Sequence, residues 1–157
     1  YSSHLGKSYE DTFKIMSSSE GHENPPSGED ESYEKSLLGS WADHYNSWKS
    51  YKSSKILIIK YEDMVLQSYE TFKKIINYLN EIDNIEVNEE KLSKALKQTE
   101  FNELQKMETK QGFREKLAGN LFFRKGKTGA WKEELPRDLI NKIEKLFRKE
   151  MIELGYL

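Results

Sequence analysis

The sequence feature that most constrains the fold is the run KILIIK at residues 55–60, in which four aliphatic residues lie between two lysines. Three of the four are isoleucines, whose β-branched side chains favour strands. Such a run predicts a strand buried on both faces, as in a parallel sheet with helices on either side. It is the one obvious run of this kind in the sequence, and one strand cannot make a sheet. The chain is therefore predicted to supply mainly helices, and at least one strand, to an α/β fold.

A polar cluster, Tyr61-Glu62-Asp63, follows this run directly. The carboxyl end of a buried parallel strand is where open α/β sheets place their ligand sites. The same residues also fit the start of a helix, because Glu62 and Asp63 would interact favourably with the positive end of the helix dipole. The two interpretations are compatible, and both stay open at this point.

A basic, glycine-containing stretch, LFFRKGKTGAW, occupies residues 121–131. Gly126 and Gly129 allow the backbone to approach a ligand closely, because glycine has no Cβ and tolerates positive φ. Arg124 can bind a phosphate through two parallel hydrogen bonds, and Lys125 can bind one as a point charge. The stretch therefore fits a phosphate-binding loop. It lacks the Gly-x-x-x-x-Gly-Lys-Ser/Thr order of a P-loop, and an exposed basic turn explains the segment alone equally well.

Amphipathic periods predict helices over most of the remaining chain. Trp41 and Trp48 lie seven residues apart on one face of a helix predicted over 33–51, and both are expected to be buried. Asn88 and Thr99 are each predicted to be the N-cap of a helix, because their side chains can accept a hydrogen bond from the first turn.

Residues 17–32, SSSEGHENPPSGEDES, contain two prolines, two glycines and no large apolar side chain. A segment of this composition cannot bury enough apolar surface to offset the entropy cost of ordering. We therefore expect a mobile loop, which is either a lid over a substrate pocket or a disordered connector. His22 lies within it and is expected to be solvated.

The composition excludes several classes of protein and site. A formal net charge of −2 argues against a nucleic-acid binder that works through bulk charge. The absence of cysteine excludes disulfides, a thiol nucleophile and a zinc–thiolate site. No apolar run approaches about 20 residues, so no membrane span is predicted. The 157 residues suffice for one domain, and the start at Tyr1 suggests a piece of a longer protein.

From about residue 33 to the end, the order of these features resembles the C-terminal half of a sulfotransferase that uses 3′-phosphoadenosine 5′-phosphosulfate (PAPS). The resemblance is carried by Trp41 and Trp48, by YEDM at 61–64, by Thr99 and Phe101, and by FRKGKTGAWK at 123–132. The last stretch is the most specific. The chain, 1–157, is then expected to be the C-terminal part of a single sulfotransferase domain. The branch of the family (small-molecule, carbohydrate or other) is not fixed by these motifs.

The resemblance implies a P-loop-like parallel α/β sheet with flanking helices that binds PAPS as co-substrate, without a metal. It assigns Arg124, Lys125 and Gly126 to the 3′-phosphate, Tyr61 and Thr99 to the adenine, and Phe101 and Phe123 to the lining of that pocket. The reaction would transfer a sulfuryl group from PAPS to a hydroxyl or amine of a small-molecule or carbohydrate acceptor. The enzyme would be cytoplasmic, with neither nucleic acid nor a membrane as its partner.

Several parts of the family's site have no match in this chain. The 5′-phosphosulfate loop, the histidine base, and the arginine and serine that complete the 3′-phosphate site belong to an N-terminal part of the domain. No catalytic residue is therefore assigned here, and the chain alone is expected to be inactive without that missing part. The family's dimerisation stretch is also not matched at residues 132–137.

Two other functions stay open. One is a non-catalytic nucleotide-binding or interaction module, and the other is a mostly helical scaffold whose basic loop has no ligand. A lysine-bearing phosphosulfate loop and a histidine base elsewhere in the full-length protein would favour the enzyme. Failure of adenosine 3′,5′-bisphosphate to shift the melting temperature of the full-length protein would favour the scaffold.

Overall fold

A computed structural model describes residues 2, 6–23, 36–53, 55–113 and 121–157, which are mainly helical. The helices among these residues are α1 Tyr9–Ser17, α2 Trp41–Ser50, α3 Tyr61–Leu66, α4 Ser68–Asp83, α5 Glu89–Gln98, α6 Phe101–Gln111, α7 Trp131–Glu134, α8 Arg137–Leu146 and α9 Arg148–Glu153. Two short strands, β1 (His22–Glu23) and β2 (Ser36–Leu37), pair antiparallel. No helix in these ranges is long and apolar enough to cross a membrane.

The chain divides into two compact units. The terminal unit comprises the described residues up to 53 together with Trp131–Leu157, and it contains α1, α2 and α7 to α9. The central unit comprises residues 55–113 and Leu121–Ala130, and it contains α3 to α6. Each unit buries its own set of side chains.

The core of the terminal unit lies around α8 and the residue that follows it. Leu139 on α8 is 1% exposed, and Phe147, which follows α8, is also buried. The Phe147 ring packs edge-on against the Trp41 ring of α2, with centroids 5.2 Å apart. Glu150 on α9 is buried as well, and its Oε1 accepts a hydrogen bond from Asn46 Nδ2 at 3.1 Å. These contacts join α2, α8 and α9.

The start of α2 is fixed by a local cap, later in the chain than the predicted start at residue 33. Ser40 Oγ accepts the Asp43 backbone N–H at 3.1 Å, and the Asp43 carboxylate accepts the Ser40 backbone N–H at 3.1 Å. Gly39 precedes the cap with a φ of +68°. The reciprocal bonds satisfy donors that the first turn of a helix leaves without partners. The helix therefore begins at Trp41.

The prediction that both tryptophans are buried is wrong for Trp48, which is 58% exposed, and Trp41 is only partly buried. Its indole N–H donates to His44 Nε2 at 3.3 Å, one turn earlier in the same helix. An ion pair between Lys49 and Glu153 joins the last turn of α2 to α9. A shared helical face is therefore covered only where another residue packs on it, as Phe147 packs on the partly buried Trp41.

The predicted parallel sheet is absent from the described residues, and this fold prediction is wrong. Residues 55–60 form no strand, and β1 with β2 is the sole ladder in the described part of the chain. Leu57 and Ile59 are partly buried, whereas Ile56 and Ile58 are 37% and 45% exposed. This alternation means that one side of the run is covered, not both. A ladder also needs a second strand, and the segments that follow form helices instead.

The helical interpretation of the polar cluster after this run is confirmed. α3 begins at Tyr61, and Glu62 and Asp63 lie in its first turn. α3 ends before Gln67, and the Thr71 hydroxyl in α4 donates to the Asp63 carbonyl oxygen at 2.9 Å. This bond joins α3 to α4 across the break between them.

One of the two predicted N-caps is confirmed and the other is wrong. Asn88 Oδ1 accepts the Lys91 backbone N–H at 2.8 Å and so caps α5. Thr99 is the C-cap of α5 instead: its backbone N–H and its hydroxyl both donate to the Ala95 carbonyl oxygen, at 3.0 and 2.9 Å. Glu100 is the N-cap of α6 and makes no side-chain capping bond.

Part of the segment predicted to be a mobile loop, residues 17–32, is described. Ser17 ends α1, and His22–Glu23 form β1 opposite β2. The Gly21 carbonyl oxygen accepts the backbone N–H groups of Leu38 and Gly39 at 2.7 and 2.9 Å. Residues 24–32 lie outside the described ranges, so the mobile lid or connector stays a prediction.

Candidate functional site

The site is a loop of the central unit, residues 121–130, which lies against one face of α6. We call this segment the basic loop. Phe101, Gln105 and Glu108 on α6 are spaced by four and three residues, so they lie on one side of the helix. Each of the three contacts a different part of the basic loop. One helical face thereby fixes the path of the loop backbone.

Phe101 fixes the glycine of the basic loop. Gly126 has a φ of +59°, and a Cβ built on it would lie 2.2 Å from Cδ2 and 2.4 Å from Cγ of Phe101. The aromatic ring therefore occupies the space that any side chain at this position would need. We predicted that glycine here allows the backbone to approach a ligand. The close approach in the structure is to Phe101, and contact with a ligand stays a prediction.

Gln105 fixes the carbonyl groups beside the first basic residue. Its Nε2 donates to the Phe123 carbonyl oxygen at 2.7 Å and to the Arg124 carbonyl oxygen at 3.4 Å. The Arg124 backbone N–H donates to the Phe122 carbonyl oxygen at 3.0 Å, which closes a tight turn. The peptide groups on both sides of Arg124 are therefore held.

Glu108 fixes the two residues before Arg124. Its side chain is buried, at 4% exposure. Oε1 accepts the Phe122 backbone N–H at 2.7 Å, and Oε2 accepts the Phe123 backbone N–H at 2.9 Å. Sequence reasoning missed this residue. The available signal was an acidic residue four positions after Leu104 and seven after Phe101, on the face of α6 that carries apolar side chains.

Three phenylalanine rings pack together beside these bonds. The centroids of Phe113 and Phe122 are 4.6 Å apart, and the Phe123 centroid lies 5.2 Å from each of them. Phe123, predicted to line the adenine pocket, is partly buried in this cluster. Aromatic pairs at these distances are mutually stabilising, so the cluster adds an apolar anchor to the start of the basic loop.

The cationic side chains of the basic loop are exposed. Arg124, Lys125 and Lys127 all present their side chains at the protein surface. Gly129, with a φ of +73°, differs from Gly126 because a Cβ built on it would meet no heavy atom within 4 Å. The loop thus combines a fixed backbone with accessible positive charge, an arrangement that suits an anion.

The structure brings some of the predicted nucleotide-site residues together and leaves others apart. Phe101 touches Gly126, and Gln105 links Phe123 to Arg124. The remaining two are exposed: Thr99 lies between α5 and α6, and Tyr61 starts α3 at 49% exposure. Within the described ranges, no hydrogen bond or ring contact joins Tyr61 to α6 or to the basic loop.

An open groove of about 410 Å³ elsewhere in the central unit is lined by Leu57 and by charged and polar side chains of α4. It contains none of the residues predicted for the nucleotide site. Among the residues that the structure describes, no group of three or more histidine, aspartate and glutamate side chains could hold a metal ion. The basic loop therefore remains the site that the sequence and the structure both single out.

Comparison with known proteins gives a family match. The profile of the sulfotransferase domain matches residues 8–155. Cytosolic sulfotransferase 17 of Arabidopsis thaliana is 26% identical over 132 residues, which cover 78% of this chain and 38% of the relative. Sulfotransferase 2A6 of Rattus norvegicus is 29% identical over 118 residues (72% and 40%), and sulfotransferase 2A1 of Homo sapiens is 27% identical over 125 residues (75% and 42%). No solved structure matches significantly.

The extent of these matches differs between the chain and its relatives. The chain spans about two fifths of the length of the curated relatives it matches. The family profile, by contrast, covers nearly all of the chain, from residue 8 to residue 155 of 157. The resemblance inferred from the order of the motifs is confirmed by this match. The chain therefore belongs to the sulfotransferase domain family.

Proposed function

We propose that the full-length protein is a PAPS-dependent sulfotransferase and that this chain carries the 3′-phosphate and adenine side of its nucleotide site. The observation that carries the proposal is the basic loop, whose backbone is fixed by three side chains of α6 while Arg124 and Lys125 are exposed. A preorganised loop loses less entropy when it binds a ligand. Membership of the sulfotransferase domain family supports the same assignment.

Within this proposal, each residue has a physical role. Arg124 binds the 3′-phosphate through two parallel hydrogen bonds, and Lys125 adds a point charge. Gly126 is assigned with them to the 3′-phosphate, and because it has no Cβ it lets the loop backbone lie close to Phe101. The adenine-side assignments are Tyr61, Thr99, Phe101 and Phe123. For these four, aromatic faces and a hydroxyl offer stacking and hydrogen bonding to a base.

The reaction proposed is in-line transfer of the sulfuryl group. The bond between the sulfur and the phosphate oxygen of PAPS breaks, and a bond from the sulfur to an acceptor oxygen or nitrogen forms. The acceptor loses a proton, and adenosine 3′,5′-bisphosphate leaves. Such chemistry depends mainly on positioning and on stabilising developing charge. Arg124 and Lys125 contribute to positioning, because they bind the nucleotide at its 3′-phosphate.

The rest of the machinery is proposed to come from the remainder of the domain. The phosphosulfate loop and the base are placed there, so this chain alone is expected to be inactive, and sulfate transfer by it from labelled PAPS would contradict that. A small-molecule or carbohydrate acceptor and a cytoplasmic location are part of the proposal. The location is supported by relatives such as cytosolic sulfotransferases 17 and 16 of Arabidopsis thaliana.

The test is a calorimetric titration of PAPS into the full-length protein and its Arg124→Ala variant. A hydrogen bond to a charged group is worth about 1.5–3 kcal/mol, so the affinity for PAPS should fall about ten- to a hundredfold. Adenosine 5′-phosphosulfate, which lacks the 3′-phosphate, should distinguish little between the two proteins. Arg124→Lys should recover part of the loss, because an ammonium group cannot make the bidentate contact.

Arg137→Ala is the matched control, since Arg137 is an exposed arginine at the start of α8. It should leave both affinities unchanged. Equal losses for PAPS and adenosine 5′-phosphosulfate in Arg124→Ala would show that this arginine binds another part of the nucleotide. No binding of either nucleotide by the parent protein would overturn the proposed function.

A further inference from the structure

The buried carboxylate of Glu108 holds the basic loop through two hydrogen bonds, and this contact has a consequence for the choice of nucleotide. We infer that Glu108 is a positioning residue: it sets the backbone of the basic loop so that the loop prefers a nucleotide with a 3′-phosphate. The inference about the ligand rests on the proposed function. The inference about the loop rests on the contacts of Glu108 alone.

The bonding of Glu108 is directed entirely at the start of the basic loop. A buried carboxylate is unfavourable unless its oxygens are hydrogen-bonded. Here each oxygen accepts one backbone N–H, from Phe122 at 2.7 Å and from Phe123 at 2.9 Å. Both donors precede Arg124 directly in the chain. The side chain therefore orients two consecutive peptide groups immediately before the proposed phosphate ligand.

Gln105 and Glu108 bind the same short segment, one as a hydrogen-bond donor and the other as an acceptor. Gln105 donates to the carbonyl groups of Phe123 and Arg124, while Glu108 accepts from the amides of Phe122 and Phe123. The peptide groups of three consecutive residues are thus bound to one helix by a donor and an acceptor. Such bonds determine the direction in which the Arg124 side chain leaves the backbone.

Charge and positioning make opposite predictions for Glu108. The carboxylate is an anion bonded to the two residues before Arg124, so its charge alone opposes phosphate binding at the proposed site. Removing the charge without removing the side chain should then strengthen binding. If Glu108 acts by positioning, the same change should weaken binding. Replacing one oxygen by an NH2 group places a donor against a backbone N–H, and the loop must move.

The decisive variant is therefore Glu108→Gln in the full-length protein. Adenosine 3′,5′-bisphosphate and adenosine 5′-monophosphate are titrated calorimetrically into the parent and the variant. We expect the affinity for the bisphosphate to fall about tenfold, which corresponds to the loss of one hydrogen bond to a charged group. The affinity for the monophosphate should change less, so the preference for the 3′-phosphate falls. Unchanged or tighter binding of the bisphosphate would overturn the inference.

Glu150→Gln is the matched control, because Glu150 is a second buried glutamate, at 7% exposure in the terminal unit. It should leave both nucleotide affinities as they are in the parent. An equal loss of preference in Glu150→Gln would show a general effect of disturbing a buried carboxylate and would overturn the specific role of Glu108.

Amide hydrogen exchange in the ligand-free protein provides a readout that does not depend on the nucleotide. The amides of Phe122 and Phe123 should exchange about tenfold faster in Glu108→Gln, and those of α8 should not. Unchanged exchange at both phenylalanines would overturn the positioning role. If the parent binds neither nucleotide, the proposed function fails, and this exchange still decides whether Glu108 holds the loop.

Gln105→Ala keeps the inference testable if Glu108→Gln does not fold. Gln105 is partly buried, and it anchors carbonyl groups of the same segment. Its loss should also reduce the preference for the bisphosphate, by about threefold. This effect is smaller than that of Glu108→Gln because a hydrogen bond between uncharged groups contributes less free energy. An unchanged preference in that variant would contradict the role of the α6 face.

Discussion

The terminal and central units each bury a glutamate, and they use it differently. In the terminal unit, Glu150 accepts a hydrogen bond from the Asn46 side chain and so joins α9 to α2. In the central unit, Glu108 accepts two backbone amides of the basic loop. The first contact links two helices, and the second fixes a segment that carries exposed cations. Burial of a charged residue therefore has a structural role in one unit and a positioning role in the other.

The two units also differ in how many apolar side chains they bury. Leu139, Ile140 and Phe147 are buried in the terminal unit, whereas Leu92 is the one apolar side chain of similar burial among the described residues of the central unit. The basic loop is held mainly by hydrogen bonds and by contact with Phe101. Changes in the terminal core should therefore alter stability, and changes at the loop should alter binding.

The largest effect on stability is expected for Phe147→Ala in the terminal unit. Phe147 is 3% exposed and packs on Trp41, so its truncation should lower the free energy of unfolding by about 3–5 kcal/mol. The preference for adenosine 3′,5′-bisphosphate over the monophosphate should not change. Urea unfolding and calorimetric titration of the full-length protein measure the two quantities.

Ile152→Ala is the control for this change, since Ile152 is 51% exposed on α9. An exposed substitution should alter the free energy of unfolding by no more than about 0.5 kcal/mol. If Phe147→Ala removed the preference for the 3′-phosphate while the protein remained folded, the division of roles between the two units would be wrong.

A slightly smaller loss of stability, but a larger effect on binding, is expected for Gly126→Ala in the central unit. A Cβ there would lie 2.2 Å from Phe101, and the ring or the loop must move. Overpacking of this kind costs about 1–3 kcal/mol, and the left-handed φ of +59° adds about 1–2 kcal/mol. The affinity for adenosine 3′,5′-bisphosphate should fall as the loop leaves α6.

Gly129→Ala separates the two causes. Its φ of +73° carries the same backbone penalty, yet its Cβ would meet no heavy atom within 4 Å. The variant should lose about 1–2 kcal/mol of stability and keep more of its affinity for the bisphosphate than Gly126→Ala does. Equal losses of affinity in the two variants would mean that contact with Phe101 does not set the loop.

These comparisons also show which features could be predicted from sequence. The cap at Asn88 and the start of α3 at Tyr61 depend on residues within one turn, so local patterns were sufficient. The capping box of Ser40 and Asp43 was equally visible as Ser-x-x-Asp, and it explains why α2 begins at Trp41 and not at residue 33. Local hydrogen bonds are determined by local sequence.

The failures at residues 55–60 and at Glu108 depended on contacts between distant residues, whereas the failed cap at Thr99 was local. The run at 55–60 has the composition of a buried strand, but a sheet needs a partner strand, and no local pattern supplies one. Glu108 could be identified as an acid on the apolar face of α6. Its partners are the backbone amides of Phe122 and Phe123, 14 and 15 residues later in the chain. The spacing of residues along the sequence does not predict that the chain brings these amides to Glu108. The basic residues of the loop and Phe101 were identified from the sequence, whereas Gln105 and Glu108 were not.

The smallest expected effect concerns pH and the capping box of the terminal unit. Hydrogen bonds from the Ser40 hydroxyl and then from the Ser40 backbone N–H hold the pKa of Asp43 below its ordinary value of 3.8. The folded state therefore favours the ionised carboxylate. The stability that this provides is fully present above about pH 4 and is lost as the pH falls through the lowered pKa.

Asp43→Asn should remove this pH dependence and lower the stability slightly at neutral pH, because the amide oxygen still accepts from Ser40 but carries no charge. Urea midpoints measured at pH 7 and through the acid range should converge for parent and variant as the pH falls. Asp138→Asn, at an exposed first-turn residue of α8 whose N-cap makes no side-chain bond, should keep the acid dependence of the parent. The preference for the 3′-phosphate at pH 7 should be the same in all three proteins, because the capping box lies in the terminal unit and the basic loop lies in the central unit. If Asp43→Asn kept the full acid dependence, the Ser40 hydroxyl alone would account for the cap, and the carboxylate would contribute nothing that titrates.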